Sequence, residues 1–279
     1  MISDKETNFL YLADTLPLLY PNFFGTFQKL LFSMNINYAL LPNTKDVWAV
    51  DYMPIQIKDE GFIQFRYRPS YLTYHKKWKQ TISDVDSICK AIQVYPQKSE
   101  IVLDGGNLIH STHKAILTER VFSENPSLSK NKILNELYQI LNLNTIYVIP
   151  ELPNDFTGHA DGMLRFMNEN TLIINDFRDE NYLFQKGFES AIKKTKLDYV
   201  IIPRNVRNNK TMDEATGEYI NYLEMKKGII LPAYNIREDE AVFKLFTELF
   251  PQQSINMVNS TDLAKNGGVL NCISWNTKL

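Results

Sequence analysis

Apolar positions along the chain recur with two periods, and the two alternate. Short β-branched or aromatic runs, each closed by a turn residue, occur at Ile36–Pro42, Ile92–Pro96, Ile146–Pro150, Asp198–Pro203 and Ile255–Val258. Four of the five end in proline, which cannot donate to a strand ladder and so stops it. Ahead of each run lies a stretch of helical spacing: Phe23/Phe27/Leu30/Leu31, Trp78/Ile82/Val85/Cys89, Leu134/Leu137/Tyr138/Leu141, Phe184/Phe188/Ile192 and Val242/Leu245/Phe246/Leu249. Hairpin patterns follow at 54–67 around Asp59-Glu60-Gly61, at 107–117, at 162–174 around Asn168-Glu169-Asn170, and at 221–231 around Lys226-Lys227-Gly228. The pattern predicts an α/β fold built from a recurring unit of helix, strand and hairpin.

One polar residue after each short strand marks the repeat: Asp51, Asp104, His159, Asn221 and Cys272. These landmarks are spaced by nearly equal lengths of chain. Units packed around an axis with strands inward would bring equivalent positions together, so the spacing predicts a five-unit ring with the landmarks in one central pocket. No Gly/Ser-rich, Pro-rich or single-charge stretch offers a boundary, and residues 1–279 read as one catalytic domain.

Composition narrows the partners. The chain has 30 Lys+Arg against 32 Asp+Glu, a net charge of −2, so it lacks the cationic surplus that duplex nucleic acid requires. The apolar stretch from Phe9 to Phe24 is interrupted by Asp14, Pro17 and Pro21 and has no basic leader, so it reads as neither a signal peptide nor a membrane span. Two cysteines, Cys89 and Cys272, are too few for a disulfide framework, which points to a reducing compartment and a cytoplasmic location. His110 and His113 lack a zinc-ligand pattern, so no metal is expected. His75 beside Lys76 and Lys77, and the segments Arg66–Pro69 and Arg204–Arg207, read as solvated surface, and Cys89 as core.

The landmark segments carry the chemistry. They are Asp46-Val47-Trp48-Ala49-Val50-Asp51-Tyr52-Met53-Pro54, Asp104-Gly105-Gly106-Asn107, Gly158-His159-Ala160-Asp161-Gly162 and Gly267-Gly268-Val269-Leu270-Asn271-Cys272. His159 and Asp161, two apart, would leave the same face of an extended strand. Singly, each aspartate reads as a turn residue, His159 as a hydrogen-bonded histidine and the cysteine as packing. Together they supply a nucleophile, an acid/base and carboxylates.

In order, these four blocks resemble the agmatine deiminase and bacterial peptidylarginine deiminase group of guanidine-modifying enzymes, whose blocks look like Trp-x-x-Asp-x-x-Pro, Glu/Asp-Gly-Gly-Asn, His-x-Asp-Gly and Gly-Gly ending in Cys. The resemblance spans Trp48 to Cys272. It implies a pentein-type pseudo-fivefold α/β propeller of ββαβ-like units. It also implies hydrolysis of a guanidinium to a ureido group and ammonia through a covalent cysteine intermediate, without a cofactor. By the resemblance Cys272 is the nucleophile, His159 the acid/base, and Asp51 and Asp161 the carboxylates holding the guanidinium. Asp104 lies beside the histidine, and Trp48, Asn107 and Asn221 line the substrate. The partner is a small guanidine, with agmatine first, or a peptidyl arginine; a homo-oligomer is left open. Val50 stands where relatives commonly have Arg, and Asn271 where many agmatine deiminases have His, so the substrate's tail is open. Free arginine, amidino transfer to an amine, and a binding protein on the same fold are the alternatives.

Overall fold

The structure, a computed structural model, describes residues 1–74, 76–206, 209–211 and 214–279; His75 and Arg207 lie outside the described residues. The strands are β1 (Phe9–Ala13), β2 (Asn37–Leu41), β3 (Ile55–Lys58), β4 (Gly61–Arg66), β5 (Gln97–Val102), β6 (Ile109–His110), β7 (Lys114–Thr118) and β8 (Thr145–Ile149). They continue with β9 (Leu164–Asn168), β10 (Thr171–Asn175), β11 (Asp198–Ile202), β12 (Leu223–Met225), β13 (Gly228–Ala233), β14 (Ile255–Asn259) and β15 (Ser274–Thr277).

Among the described residues these form five three-stranded sheets with one topology, in the orders β3-β4-β5, β6-β7-β8, β9-β10-β11, β12-β13-β14 and β15-β1-β2. In each, the first strand pairs antiparallel to the middle one, through a hairpin in four of them, and a third strand, reached through helix, pairs parallel on the other side. The fifth sheet is assembled from both chain ends, with Phe9 opposite Thr277 and Tyr11 opposite Trp275. The sequence pattern shows four hairpins and misses this one because its two strands sit at opposite ends of the chain.

The described residues group into two compact units, each made of several separate stretches of chain. One holds residues 1–3, 51–82 and 94–202; the other holds 4–50, 83–93 and 203–279. No single cut of the sequence separates them, which is why no composition boundary marks them.

In the first unit the middle strands β7 and β10 are buried on both faces, and Ala115–Leu117 and Leu172–Ile174 are accordingly continuous apolar runs rather than alternations. Ala115 and Leu117 of β7 join one core cluster with Ile101, Leu103, Ile133 and Leu137, while Ile116 between them joins another with Ile149, Met163, Leu172 and Phe188. The parallel third strands are more exposed, as Asp198, Tyr199 and Ile201 on β11 show.

The helices Pro21–Ser33, Lys130–Ile140, Tyr182–Thr195 and Glu238–Leu249 fall where the spacing predicts them and bury that face: Phe23/Phe27/Leu31, Ile133/Leu137, Phe184/Phe188/Ile192 and Val242/Phe246. Ser129 and Asn181 cap two of them by accepting the backbone N–H of Lys132 and Phe184.

Two expectations are corrected. The helix expected through Trp78 and Cys89 is two pieces, Lys76–Lys79 and Val85–Ala91, the second started by Asp84, whose side chain accepts the Ser87 N–H. The strand expected at 92–96 begins only at Gln97: Gln93 has φ of 60° and turns the chain, and Pro96 precedes the ladder instead of ending it. Its alternation of Ser99 and Ile101 inward against Lys98 and Glu100 outward is masked in the sequence by those charges. No described helix is long and apolar enough to cross a membrane.

The fifth sheet yields a test. Trp275 is 6% exposed and its ring lies 4.9 Å from that of Tyr11 across the β1–β15 pair. Trp275→Ala is expected to cost about 3 to 5 kcal/mol in urea unfolding, the range for emptying a large aromatic from a core.

Candidate active site

Each landmark lies between the third strand of one sheet and the hairpin of the next, the same place in every repeat: Asp51 after β2, Asp104 after β5, His159 after β8, Asn221 after β11 and Cys272 after β14. Three of these side chains sit in or at the start of short helical turns within those connections. Asp51 is in the turn of helix Ala49–Tyr52. Asp104 starts the 3-10 turn Gly105–Asn107, with Asn107 N–H donating to its carbonyl at 3.0 Å. His159 starts the 3-10 turn Ala160–Gly162. His159 and Asp161 are therefore not two residues of a strand, as their spacing suggests; Gly158, at φ 65°, turns the chain just ahead of them.

In the first unit the structure brings Asp51, Asp104, His159 and Asp161 together. Asp104 Oδ2 is 3.0 Å from His159 Nε2, and Asp51 Oδ1 is 3.4 Å from Nδ1 on the other side of the ring. The His159 side chain is 5% exposed and those of Asp51 and Asp104 10% and 7%. Gly106 explains how the group fits. Its N–H donates to Asp51 Oδ1 at 3.1 Å, and a Cβ there would lie 2.6 Å from that oxygen, 2.7 Å from His159 Nδ1 and 3.4 Å from Asp161 Oδ2. The second glycine of Asp-Gly-Gly is thus the space into which these three side chains converge.

Burial by itself pushes the His159 imidazole down, but Asp51, Asp104 and Asp161 reverse that and raise it to about 10. The ring is an imidazolium at neutral pH, with both nitrogens donating. Asp104 holds Nε2 at 3.0 Å and Asp51 faces Nδ1 at the longer 3.4 Å, so Nδ1 is the more loosely held of the two.

In the second unit Asn221 organises the nucleophile candidate. Its Nδ2 donates to Cys272 Sγ at 3.2 Å, and its Oδ1 accepts the backbone N–H groups of Asn271 and Cys272 at 3.1 and 3.2 Å. One amide therefore fixes both the turn and the sulfur. Gly268 sits between the Trp48 ring and Cys272, where a Cβ would lie 2.6 Å from the ring and 2.9 Å from the cysteine Cβ. The Asp46 carboxylate accepts the Trp48 N–H at 3.1 Å, and burial lifts it to about 7. Val50 donates its N–H to the Cys272 carbonyl at 3.3 Å, a contact that does not depend on its side chain. Cys89 is a buried thiol on helix Val85–Ala91, while Cys272 is partly accessible.

Other candidates are placed differently from expectation. The Asn107 carbonyl accepts the N–H and hydroxyl of Thr118, each at 3.0 Å, so this residue holds β7 to the turn instead of presenting that oxygen to a substrate. Arg204 is not solvated: it pairs with Glu218 at 2.6 Å with side chains 6% and 12% exposed. Arg66 and Arg68 are exposed, as expected. The sequence reading missed Tyr71, whose hydroxyl donates to Asp104 Oδ2 at 3.0 Å; it lies outside every recognised block, and no spacing pointed to it.

The repeated sheets and the buried histidine–carboxylate group define the class, a pentein-type α/β fold. Solved structures agree. The C. jejuni agmatine deiminase matches with a TM-score of 0.78 at 19% identity, covering 100% of this chain and 95% of that one. The agmatine deiminase of Enterococcus faecalis matches with 0.79 at 19% identity, over 100% and 96%. DDAH from Pseudomonas aeruginosa matches with 0.59 at 12% identity, over 98% and 100%. By sequence, a Lactococcus lactis protein provisionally named an agmatine deiminase is 26% identical over 230 residues, 71% of this chain but only 63% of the relative's length. Residues 24–277 match the model of the Porphyromonas-type peptidyl-arginine deiminase family, and the chain belongs to that family.

The charged histidine makes stability depend on pH. A group raised in the folded state from about 6.5 stabilises the fold fully below that value and loses the contribution as pH rises through the folded value. The wild-type protein is therefore expected to lose urea resistance from about pH 6.5 to about 10 relative to His159→Gln, which lacks this titration. Parallel curves for the two proteins would show that the ring is not charged.

Proposed function

We propose that the protein is a guanidine deiminase, converting a guanidinium to a ureido group and ammonia, with agmatine the first substrate to test. The observation that carries this is the clamp on His159: a buried imidazolium faced by three carboxylates, with Asp51 and Asp161 meeting the ring at Gly106 and Asp104 at Nε2. An acidic wall out of water favours a cation, and a planar, permanently charged, forked one can donate paired N–H bonds to two carboxylates. Family membership and the relatives' names support the same class of substrate.

In the proposed mechanism Asp51 and Asp161 hold the guanidinium with its central carbon at the Cys272 sulfur. The thiolate is the reactive form, and the Asn221 amide donating to Sγ favours it, as does the cationic substrate. Attack forms the C–S bond and a tetrahedral adduct. His159 gives its Nδ1 proton to the departing nitrogen, the C–N bond breaks, ammonia leaves, and an S-alkylthiouronium remains on Cys272. The neutral imidazole then takes a proton from water as that water adds to the same carbon. Collapse expels the thiolate, the adduct's hydroxyl loses its proton to solvent, and the ureido product is released. Asp104, by holding Nε2, keeps Nδ1 as the working nitrogen through both half-reactions.

The test is direct. Purified protein is incubated with agmatine, arginine and an arginine peptide, and ureido product and ammonia are measured. Turnover of the peptide without agmatine assigns protein substrates, and product that depends on an added amine assigns amidino transfer; no product from any of them removes the deiminase reading.

Two sets of variants test the roles. Cys272→Ala is expected to abolish turnover while keeping the wild-type melting temperature, with Cys89→Ala near wild type, and a haloacetamidine should add its mass at Cys272 and not at Cys89. Asp51→Asn and Asp161→Asn should each lower kcat/KM by about tenfold to a hundredfold, the loss of about 1.5 to 3 kcal/mol of charge-assisted hydrogen bonding. Labelling confined to Cys89, or full turnover by Cys272→Ala, would overturn the nucleophile.

A further inference from the structure

Asp104 serves more than His159. Its Oδ2 takes His159 Nε2 at 3.0 Å and also accepts the Tyr71 hydroxyl at 3.0 Å, while its Oδ1 is buried with no hydrogen-bonding partner among the described residues. Both bonds thus fall on the oxygen that touches the histidine. Tyr71 is held for this from two sides. It belongs to the short helix Ser70–Thr73, whose first residue is pinned by Glu124 through its N–H at 3.0 Å and its hydroxyl at 2.6 Å. Its ring meets Phe156 edge-on at 5.4 Å and 85°, and His159 edge-on at 6.1 Å and 70°. A phenol fixed this tightly loses little freedom in making the bond.

We propose that Tyr71 is a positioning residue, the outer member of a Tyr71–Asp104–His159 chain that fixes the carboxylate and draws charge away from Oδ2, so that proton exchange runs through Nδ1 on the Asp51 side of the ring. The proposal rests on the acid/base role given to His159 above. The groups that face the imidazole are Asp51 from the turn of helix Ala49–Tyr52, Asp104 ahead of its 3-10 turn, Asp161 from the histidine's own turn, and Tyr71. Tyr71 stays a neutral donor: burial raises its phenol well above the ordinary value, and Asp104, Tyr67 and Asp51 add to the effect. Without the hydroxyl, the negative charge of Asp104 would bear undivided on Nε2. The imidazolium would hold its proton harder and deliver it to the leaving nitrogen less readily. Guanidinium binding, assigned to Asp51 and Asp161, would be unchanged.

The experiment compares the wild-type protein with Tyr71→Phe, which removes only the hydroxyl, and Tyr71→Leu, which removes the ring as well. Ring-15N-labelled histidines are followed by NMR against pH without substrate, the His159 signal being identified by its loss in His159→Gln. In Tyr71→Phe the His159 titration is expected to move up by about half a unit or more, as a hydrogen bond to the carboxylate facing it is lost. With whichever guanidine is turned over, kcat should fall about tenfold while KM stays within about twofold, on the scale of one charge-assisted hydrogen bond. A packing role would leave Tyr71→Phe at wild-type values in both measurements and affect Tyr71→Leu alone; that result overturns the proposal. Equally, a melting temperature that falls in step with kcat would assign the loss to stability and overturn it. If no guanidine is turned over the deiminase reading fails, and the NMR shift still decides whether the chain through Asp104 exists.

Discussion

The structure around the site is organised by one requirement: carboxylates that share a small, nearly dry volume must be balanced by positive charge. His159 supplies part of it, becoming an imidazolium because Asp51, Asp104 and Asp161 outweigh the cost of burying it. Much of the local backbone follows from that. Gly106 lacks a side chain because the carboxylates and the ring fill the space one would take, and its N–H is spent on Asp51. Asp104 and His159 both stand at the start of 3-10 turns, which present their side chains without needing a long element to carry them. The strands behind them are apolar on both faces, so the polar machinery is confined to the turns.

Much of this was legible in the sequence because the repeat is written in its simplest variables. A run of β-branched residues, a helical spacing and a hairpin turn recur, and four of the five parallel strands and four of the five expected helices fall where those patterns put them. The failures have local causes. At 92–96 an apolar run was read as strand, whereas Ile92 finishes the helix turn and the strand that follows wears Lys98 and Glu100 on its exposed side. Through Trp78 and Cys89 a helical spacing was carried across Asp84, which starts a new helix. The hairpin of β15 and β1 had no local signature at all, since nothing short in the chain joins its two strands.

For the site, residue types and order carried the reading, and contacts did not. The sequence could indicate that Asp51, Asp104, His159 and Asp161 belong together; it could not show that Asp104 holds one imidazole nitrogen and Asp51 faces the other. It placed Asn221 on a landmark without saying that one amide would hold both a turn and a sulfur. It gave Asn107 to the substrate, whereas the carbonyl of that side chain is occupied by Thr118. Tyr71 was invisible because its contribution is a single hydroxyl on a four-residue helix. Burial and direction, unlike composition, are properties of the folded chain.

The sheet formed by β15, β1 and β2 has a consequence for the order in which the protein is made. β1 and β2 lie close in sequence, but the antiparallel neighbour of β1 is made only after the strands of the other four sheets. Until then the nascent chain carries Leu10, Leu12 and Tyr11 on a strand whose second edge is open, the kind of edge that pairs with other chains. Closing it late costs little in loop entropy, which grows only with the logarithm of the length enclosed. What the arrangement costs is time spent with an unfinished edge, so this sheet, unlike the four built from neighbouring segments, is the one exposed to mispairing during synthesis.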